Sequence, residues 1–395
     1  MLYIKILLGL AKLKIIAFKT KSVLLVTEAG CSGGTRTYLF SLLEFLYSKQ
    51  IAVTVLINGT RQDNELLEII EKYSFNTLDV NFDFWCTDFD NIPKGLSKRQ
   101  LWSYQAKEIL FWISIQQKHK FSEIIFNVAY PEMFLYAFLL PVKIKYILHS
   151  VPEKKADSKK RFLLNYFLNN RKEILTVSRY ASSAINLMWI DKKRNKHIHF
   201  IHNYYEPDDT YKNEAKELAI DVLTIGNVVG YKNPALFVKV AEALNNTNTK
   251  PVNFIWAGDG IQLNEFRDIT AGMNFVKFIG YEANVEGLYK NAKVYFQPSL
   301  MESHGIAVLG AMFNQIPCVV SDRGGLRESC IDGKTGFVVP VMNEFHSIEK
   351  INFLLNNEDK SKEMGRAGKR YFEESFSKEM WMNKMTLEFK SFLAD

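Results

Sequence analysis

This sequence predicts an α/β chain built of two parallel-sheet domains, on three observations. Its 395 residues exceed what one ordinary core holds. Short apolar, β-favouring runs recur along it, with helix-length segments between them. In each half, one such run empties into a glycine-bearing loop that opens a helix. A hydrophobic content of 47% and an aromatic content of 13% suit a chain with a large core.

Residues 1–21 form a basic amphipathic segment. No stretch reaches the roughly 18 uncharged apolar residues that a spanning helix needs, because Lys5, Lys12 and Lys14 interrupt this one. On a helix, Lys5, Lys12 and Lys19 share one side and Leu, Ile and Phe dominate the other. Three readings stand: a helix lying on a membrane surface, a helix packed on the protein itself, or a targeting segment. No small-residue cleavage site follows it.

Residues 22–205 read as the first domain. Val23–Thr27 is a buried strand, followed by the loop Glu28–Thr35, a helix to Lys49 and a strand Ala52–Ile57. Gly33 and Gly34 would let backbone approach a phosphate or a sugar. From Arg61 to Ser122 the pattern is helix-rich and irregular. Asp88-Phe89-Asp90 could hold a metal, but it sits in a polar loop before Pro93 and reads as solvated acids. Glu123–Val128 and Lys143–Leu148 are further strands, and His149 falls just past the second, where open α/β sheets bind ligands. Lys154–Lys172 carries seven basic residues and one acid among Phe162, Leu163, Leu164, Tyr166, Phe167 and Leu168. It is either an ordinary amphipathic helix or a second contact with a membrane or an acceptor phosphate. Ile174–Ser178 and Phe200–Asn203 close the domain as strands or strand ends.

Residues 206–218, acidic and carrying Pro207, read as a linker, and 219–378 as the second domain. Its elements include the strand Val222–Gly226, the loop Asn227–Asn233, a helix starting at Pro234, and the strand Phe254–Ala257 with its Gly258-Asp259-Gly260 turn. Val276–Tyr281 follows, then the stretch Ala292–Pro340. In that stretch the strand Val294–Phe296 leads into Met301–Gly305 and a helix Ile306–Phe313, whose start is a ready anion site. The strand Cys318–Ser321 then runs into Gly324-Gly325, where backbone can approach a ligand closely. Residues 379–395 read as a final helix.

The net charge of +7 is divided unequally: residues 1–205 hold 29 basic against 17 acidic residues, and residues 206–395 hold 21 against 26. A basic first half suits an anionic membrane surface or a phospholipid-linked acceptor. No nucleic-acid motif accompanies it. The four cysteines, Cys31, Cys86, Cys318 and Cys330, have no metal spacing and read as free thiols of a reducing compartment.

The stretch Ala292–Pro340 resembles the donor-site signature of retaining nucleotide-sugar glycosyltransferases of the GT-B fold, family 4 (glycosyl transferases group 1). Pro298, Ser299, Glu302, Gly305, Pro317, Val319, Val320, Ser321, Asp322, Gly324, Gly325, Glu328, Asp332, Gly333 and Gly336 match that pattern in order. Matching segments extend from Gly33 to about Gly336. The resemblance implies two Rossmann-like domains facing a central cleft, with the helix of residues 379–395 returning to the first domain. It places Glu302 and His149 at the reacting sugar. It places Gly33, Gly34, Asn227, Lys232, Gly258, Tyr281, Glu302, Gly305, Ile306 and Gly310 at the donor.

Two positions depart from the pattern. Asn227 stands where the family has an Arg on the diphosphate, a loss of about 1.5–3 kcal/mol if nothing replaces the contact. Arg323 is a candidate substitute. Gly310 stands where the family has a second Glu on the ribose.

The implied reaction moves a sugar from a nucleoside diphosphate to an acceptor hydroxyl with retained configuration, without a metal or other cofactor. Its acceptor would be a lipid-linked or surface glycan of bacterial polysaccharide synthesis, such as O-antigen or capsule. The expected location is the cytoplasm, peripheral on the inner face of the cell membrane. Nucleic acid is not an expected partner. A non-catalytic donor-binding or scaffold subunit is the alternative, and a GT-B nucleotide-sugar epimerase a further one.

Overall fold

The apolar runs of the sequence emerge as parallel strands, buried on both faces as crossover helices require. A computed structural model describes residues 2–14, 22–27, 33–58, 63–80, 98–128, 135–152, 155, 158–190, 195–207 and 219–393. The chain divides into two units. One comprises Met1–Val177, Ala181–Ile201 and Lys384–Asp395, the other Ser178–Tyr180 and His202–Asn383.

The first unit contains α1 (Leu2–Leu13), β1 (Ser22–Thr27), α2 (Gly34–Ser48), β2 (Ala52–Asn58), α3 (Asn64–Lys72), β3 (Asn76–Val80) and α4 (Lys98–His119). β4 (Glu123–Val128), β5 (Lys143–Leu148), α5 (Ser158–Phe167), β6 (Lys172–Thr176), α6 (Arg179–Ile185, whose first two residues fall in the second unit) and β7 (Ile198–Phe200) complete it. The strands form one parallel sheet of order β3-β2-β1-β4-β5-β6-β7.

The second unit contains β8 (Ile220–Ile225), α7 (Pro234–Thr247), β9 (Phe254–Ala257), α8 (Leu263–Ile269), β10 (Val276–Gly280), α9 (Val285–Asn291) and β11 (Ala292–Gln297). α10 (Ile306–Phe313), β12 (Cys318–Ser321), α11 (Leu326–Ser329), β13 (Gly336–Val339), α12 (Glu344–Asn356) and α13 (Glu358–Ser375) follow. Its parallel sheet has the order β10-β9-β8-β11-β12-β13. The last helix, α14 (Lys378–Leu393), begins in the second unit, and its residues from Lys384 belong to the first.

Within the first unit this helix is tied down by charge. Lys145, fully buried on β5, donates to Glu388 at 2.7 Å and to Glu173 at 2.9 Å, and His199 Nδ1 meets the other oxygen of Glu388 at 3.0 Å. Tyr38 donates to Met385 Sδ at 3.6 Å, and Phe45 and Phe389 meet edge to face.

Several expectations shift. The segment after Arg61 includes an edge strand, β3, which the sequence reading missed: its mostly exposed Asn76-Thr77-Leu78-Asp79-Val80 carries no apolar run. β6 and β7 end at Thr176 and Phe200, two and three residues before the predicted strand ends. α1 packs on α4, burying Ile6 and Leu13 in the core. A Cβ on Gly9 would stand 2.7 Å from Ile113. Its other side leaves Ile4, Leu7 and Leu8 exposed. On α5, Leu164 is buried, whereas Phe162 and Tyr166 stack on each other in solvent rather than joining one inward apolar face. Cys318 and Cys330 are buried free thiols. Cys31, Cys86 and the acids Asp88 and Asp90 lie outside the described residues, as do 208–218 of the expected linker.

Candidate functional site

In both sheets the strand order reverses at the middle, between β1 and β4 and between β8 and β11. A crevice opens beyond the carboxyl ends of such a pair, and ligands of open α/β sheets bind there. In the second unit, β8 leads into the loop Gly226–Asn233 and β11 into Pro298–Gly305. Hydrogen bonds zip these two loops together. Leu300 N donates to Tyr231 O at 2.8 Å, Asn233 Nδ2 donates to Pro298 O at 3.2 Å, and Lys232 Nζ donates to Glu302 Oε1. Burial alone would lower the Lys232 ammonium, but the Glu302 carboxylate beside it holds it above its ordinary value.

Gly305 caps α10 with a left-handed backbone (φ 92°), and Ile306 is the first helical residue. The loop before it lies on the next one. Gly325 N donates to Glu302 O at 2.9 Å, and Ser329 Oγ donates to His304 O at 2.6 Å. Gly324, at φ 63°, would set a Cβ 1.9 Å from Glu302 O. Gly324 and Gly325 therefore make a close approach to the Glu302 loop. Gly258 behaves alike: at φ 144° its Cβ would lie 2.2 Å from Gly226 O, so the Gly258-Asp259-Gly260 turn can rest on the Asn227 loop. Trp256 Nε1 donates to Gly226 O at 2.8 Å, and Val228 N donates to Asp259 O at 2.7 Å. Tyr281 N donates to Asp259 Oδ1 at 3.1 Å, and the Tyr281 side chain is exposed.

The structure thus brings Asn227, Lys232, Gly258, Glu302, Gly305 and Ile306 onto loops at one sheet end, with Tyr281 on the loop after β10. Arg323 is exposed and pairs with Asp322 at 3.4 Å.

Gly310 lies on α10, where a Cβ would stand 2.6 Å from the hydroxyl of Tyr289 and 2.7 and 2.8 Å from its ring atoms. Tyr289, 2% exposed, donates to Ala307 O at 2.8 Å. Its phenol fills the space into which a longer side chain at 310 would extend. Sequence reading missed Tyr289, which sits in a helix beside no motif. It also missed Gln297, whose signal was a polar residue closing an apolar strand.

In the first unit, Gly33 caps α2 at φ 65°. It and Gly34 are exposed, with open space around a Cβ placed on Gly33. A 15-residue helix begins there, and among the described residues no side chain caps it. His149 follows β5. Its Nε2 lies 2.9 Å from Asn127 Oδ1, and its ring meets Tyr38 edge-on at 4.8 Å. Burial pushes its pKa down to about 3, so it is a neutral imidazole that donates from Nε2 to Asn127. Among the described residues, no group of three His, Cys, Asp or Glu side chains is placed to hold a metal. No described helix is long and apolar enough to cross a membrane.

This architecture is that of GT-B glycosyltransferases: two parallel α/β sheets, each with a switch-point crevice. Residues 206–371 match the model of the family Glycosyl transferases group 1. A glycosyltransferase from Rickettsia africae superposes with a TM-score of 0.74 at 14% identity, covering 96% of this chain and 100% of that one. HepE from Anabaena, solved with UDP and glucose, gives 0.70 at 16% identity, covering 94% and 100%.

In sequence, the chain is 30% identical over 178 residues to the GalNAc-α-(1→4)-GalNAc-α-(1→3)-diNAcBac-PP-undecaprenol α-1,4-N-acetyl-D-galactosaminyltransferase of Campylobacter jejuni. That match covers 43% of this chain and 48% of the relative. The chain thus spans about half the length of that relative, and less of others.

Proposed function

We propose that this chain is a retaining glycosyltransferase of family 4. It would transfer a sugar from a nucleoside diphosphate to a lipid-linked or surface glycan in bacterial polysaccharide synthesis, such as O-antigen or capsule. One observation carries the reading: a lysine and a carboxylate, paired to each other, stand at the switch point of the second sheet, the lysine on the loop after β8 and the carboxylate on the loop that opens α10.

In this reading the diphosphate takes over the Lys232 ammonium and the helix start at Gly305 and Ile306. Glu302, released, accepts hydrogen bonds from the sugar. The bond from the anomeric carbon to the phosphate oxygen breaks, leaving its electron pair on the diphosphate. A bond to the acceptor oxygen forms on the same face, and the acceptor's proton leaves with the diphosphate. Asn227, Gly258, Tyr281 and Gly310 belong to the donor side. We further propose that neutral His149 hydrogen-bonds the sugar and that Gly33-Gly34 take part at the diphosphate or the acceptor. Neutralisation by side chains and helix starts leaves no role for a metal.

A thermal-shift panel of UDP, GDP, ADP, TDP and their sugars tests this. One diphosphate should raise the melting temperature, and Lys232→Ala should remove the rise. No shift with any of them would defeat the reading. A non-catalytic donor-binding subunit is the second reading, favoured by the Tyr289 side chain that occupies the space beside Gly310. It predicts a shift without turnover of the nucleotide sugar.

The partner surface we propose is an anionic membrane on the cytoplasmic face, met by the exposed Ile4, Leu7 and Leu8 beside Lys5 and Lys12. Ile6 and Leu13 serve the core, so point substitutions test this better than deletion. Serine at positions 4, 7 and 8 should abolish co-sedimentation with anionic vesicles and leave the melting temperature unchanged. Undiminished co-sedimentation would exclude this surface.

A further inference from the structure

β11 is buried from Val294 onward and ends in an amide side chain, Gln297, only 1% exposed. A buried amide is costly unless it is hydrogen-bonded, and both ends of this one are. Tyr295 Oη donates to Gln297 Oε1 at 2.7 Å. Gln297 Nε2 donates to Ser299 Oγ at 2.8 Å, and Ser299 Oγ donates to Glu302 Oε1 at 3.2 Å. The same amide nitrogen lies 3.5 Å from that carboxylate oxygen. Each donor in the row points toward Glu302, an arrangement in which every link strengthens the next. Lys232 donates to the same oxygen. Among the described residues no donor falls on Oε2.

The other end of the row reaches the neighbouring strand. Tyr295 Oη accepts from Ile225 N at 3.3 Å, at the end of β8, just before the loop that carries Lys232; it lies 3.3 Å from Ile225 O as well, but its one proton goes to the nearer Gln297 Oε1. One relay therefore touches both strands whose loops make the switch-point site. A core amide kept only for packing would have no need to end on a carboxylate.

We infer that Gln297 is a positioning residue. Through Ser299 it pins one oxygen of Glu302 so that the other is presented to a hydroxyl of the transferred sugar, and through Tyr295 it fixes that carboxylate relative to the end of β8. The inference rests on the donor-site reading above.

The test uses the full chain with Gln297→Met, which keeps the volume and removes the relay, and Ser299→Ala, which cuts it one link later. Affinity for UDP, GDP, ADP and TDP is measured by calorimetry, and turnover of the matching nucleotide sugars by release of the diphosphate. Both variants should keep diphosphate affinity within about two-fold of the wild type. Turnover should fall about ten-fold or more, mostly in kcat, the equivalent of one ordinary hydrogen bond. Unchanged turnover in both variants overturns the inference. So does a Gln297→Met chain that loses affinity, turnover and melting temperature together while Ser299→Ala is silent. A wild-type chain that binds none of these diphosphates overturns the donor-site reading and this inference with it.

Discussion

Lys145 and Lys232 are each held by glutamate, one in each unit. Lys145 lies on a central strand with no exposed surface, between Glu173 and Glu388, in a cluster that fastens α14. Lys232 lies on a loop at a sheet end with 17% of its side chain exposed, and it meets a carboxylate whose remaining partners are Ser299 and Gln297. In the first cluster the cation itself has no exposed surface. The second pair sits at the switch-point end of a sheet, where the reading proposed above has a ligand's charge replace either member. What a buried ion pair does is decided by what can reach it.

Removing each lysine tests that contrast most strongly. Lys145→Met leaves buried carboxylates without their cation and should cost about 3–5 kcal/mol in urea unfolding. Lys232→Met should cost no more than about 1.5 kcal/mol, because Glu302 keeps two neutral donors and partial access to water. Its effect should fall on diphosphate binding instead. Equal losses of stability would break the comparison.

A smaller effect sharpens it through pH. Burial alone would raise Glu388, but its hydrogen bond with His199 and the charge of Lys145 pull it down to about 2. Its contribution is complete above the ordinary value of 4.5 and is lost as the pH falls toward 2. The hydrogen bond to Glu388 raises His199, so its contribution is complete below 6.5 and is lost as the pH rises through its folded value. The fastening of α14 is thus firmest between pH 4.5 and 6.5. Melting temperatures at pH 3, 5.5 and 8 should fall off on both sides, more steeply on the acid side. Glu388→Gln should flatten both limbs; retention of the acid limb would assign it elsewhere.

Much of the architecture was legible in the sequence because parallel strands must be apolar on both faces. β4, β5, β9, β10 and β12 stand where their apolar runs lie. β3 was not legible, since an exposed edge strand needs no such run. Of the site, Lys232, Glu302 and Gly305 came from the family resemblance of their segments, and the strand order brings their loops together. Gly258 and Gly324 were read as touching a ligand. Their missing Cβ atoms also make room for neighbouring backbone, a contact between distant segments that one-dimensional spacing does not encode. Gln297 and Tyr289 were illegible for a related reason: their importance lies in the partner across the fold.

The packing of Tyr289 against Gly310 has an evolutionary consequence. A glutamate arising at 310 would meet the phenol at once, so the ring would have to shift or be replaced before the acid fits. A descendant with that acid would first trade the aromatic ring for something smaller, whereas an ancestor with it would have lost the acid before gaining the ring. Either way, relatives with an acid at 310 should carry a smaller residue at 289.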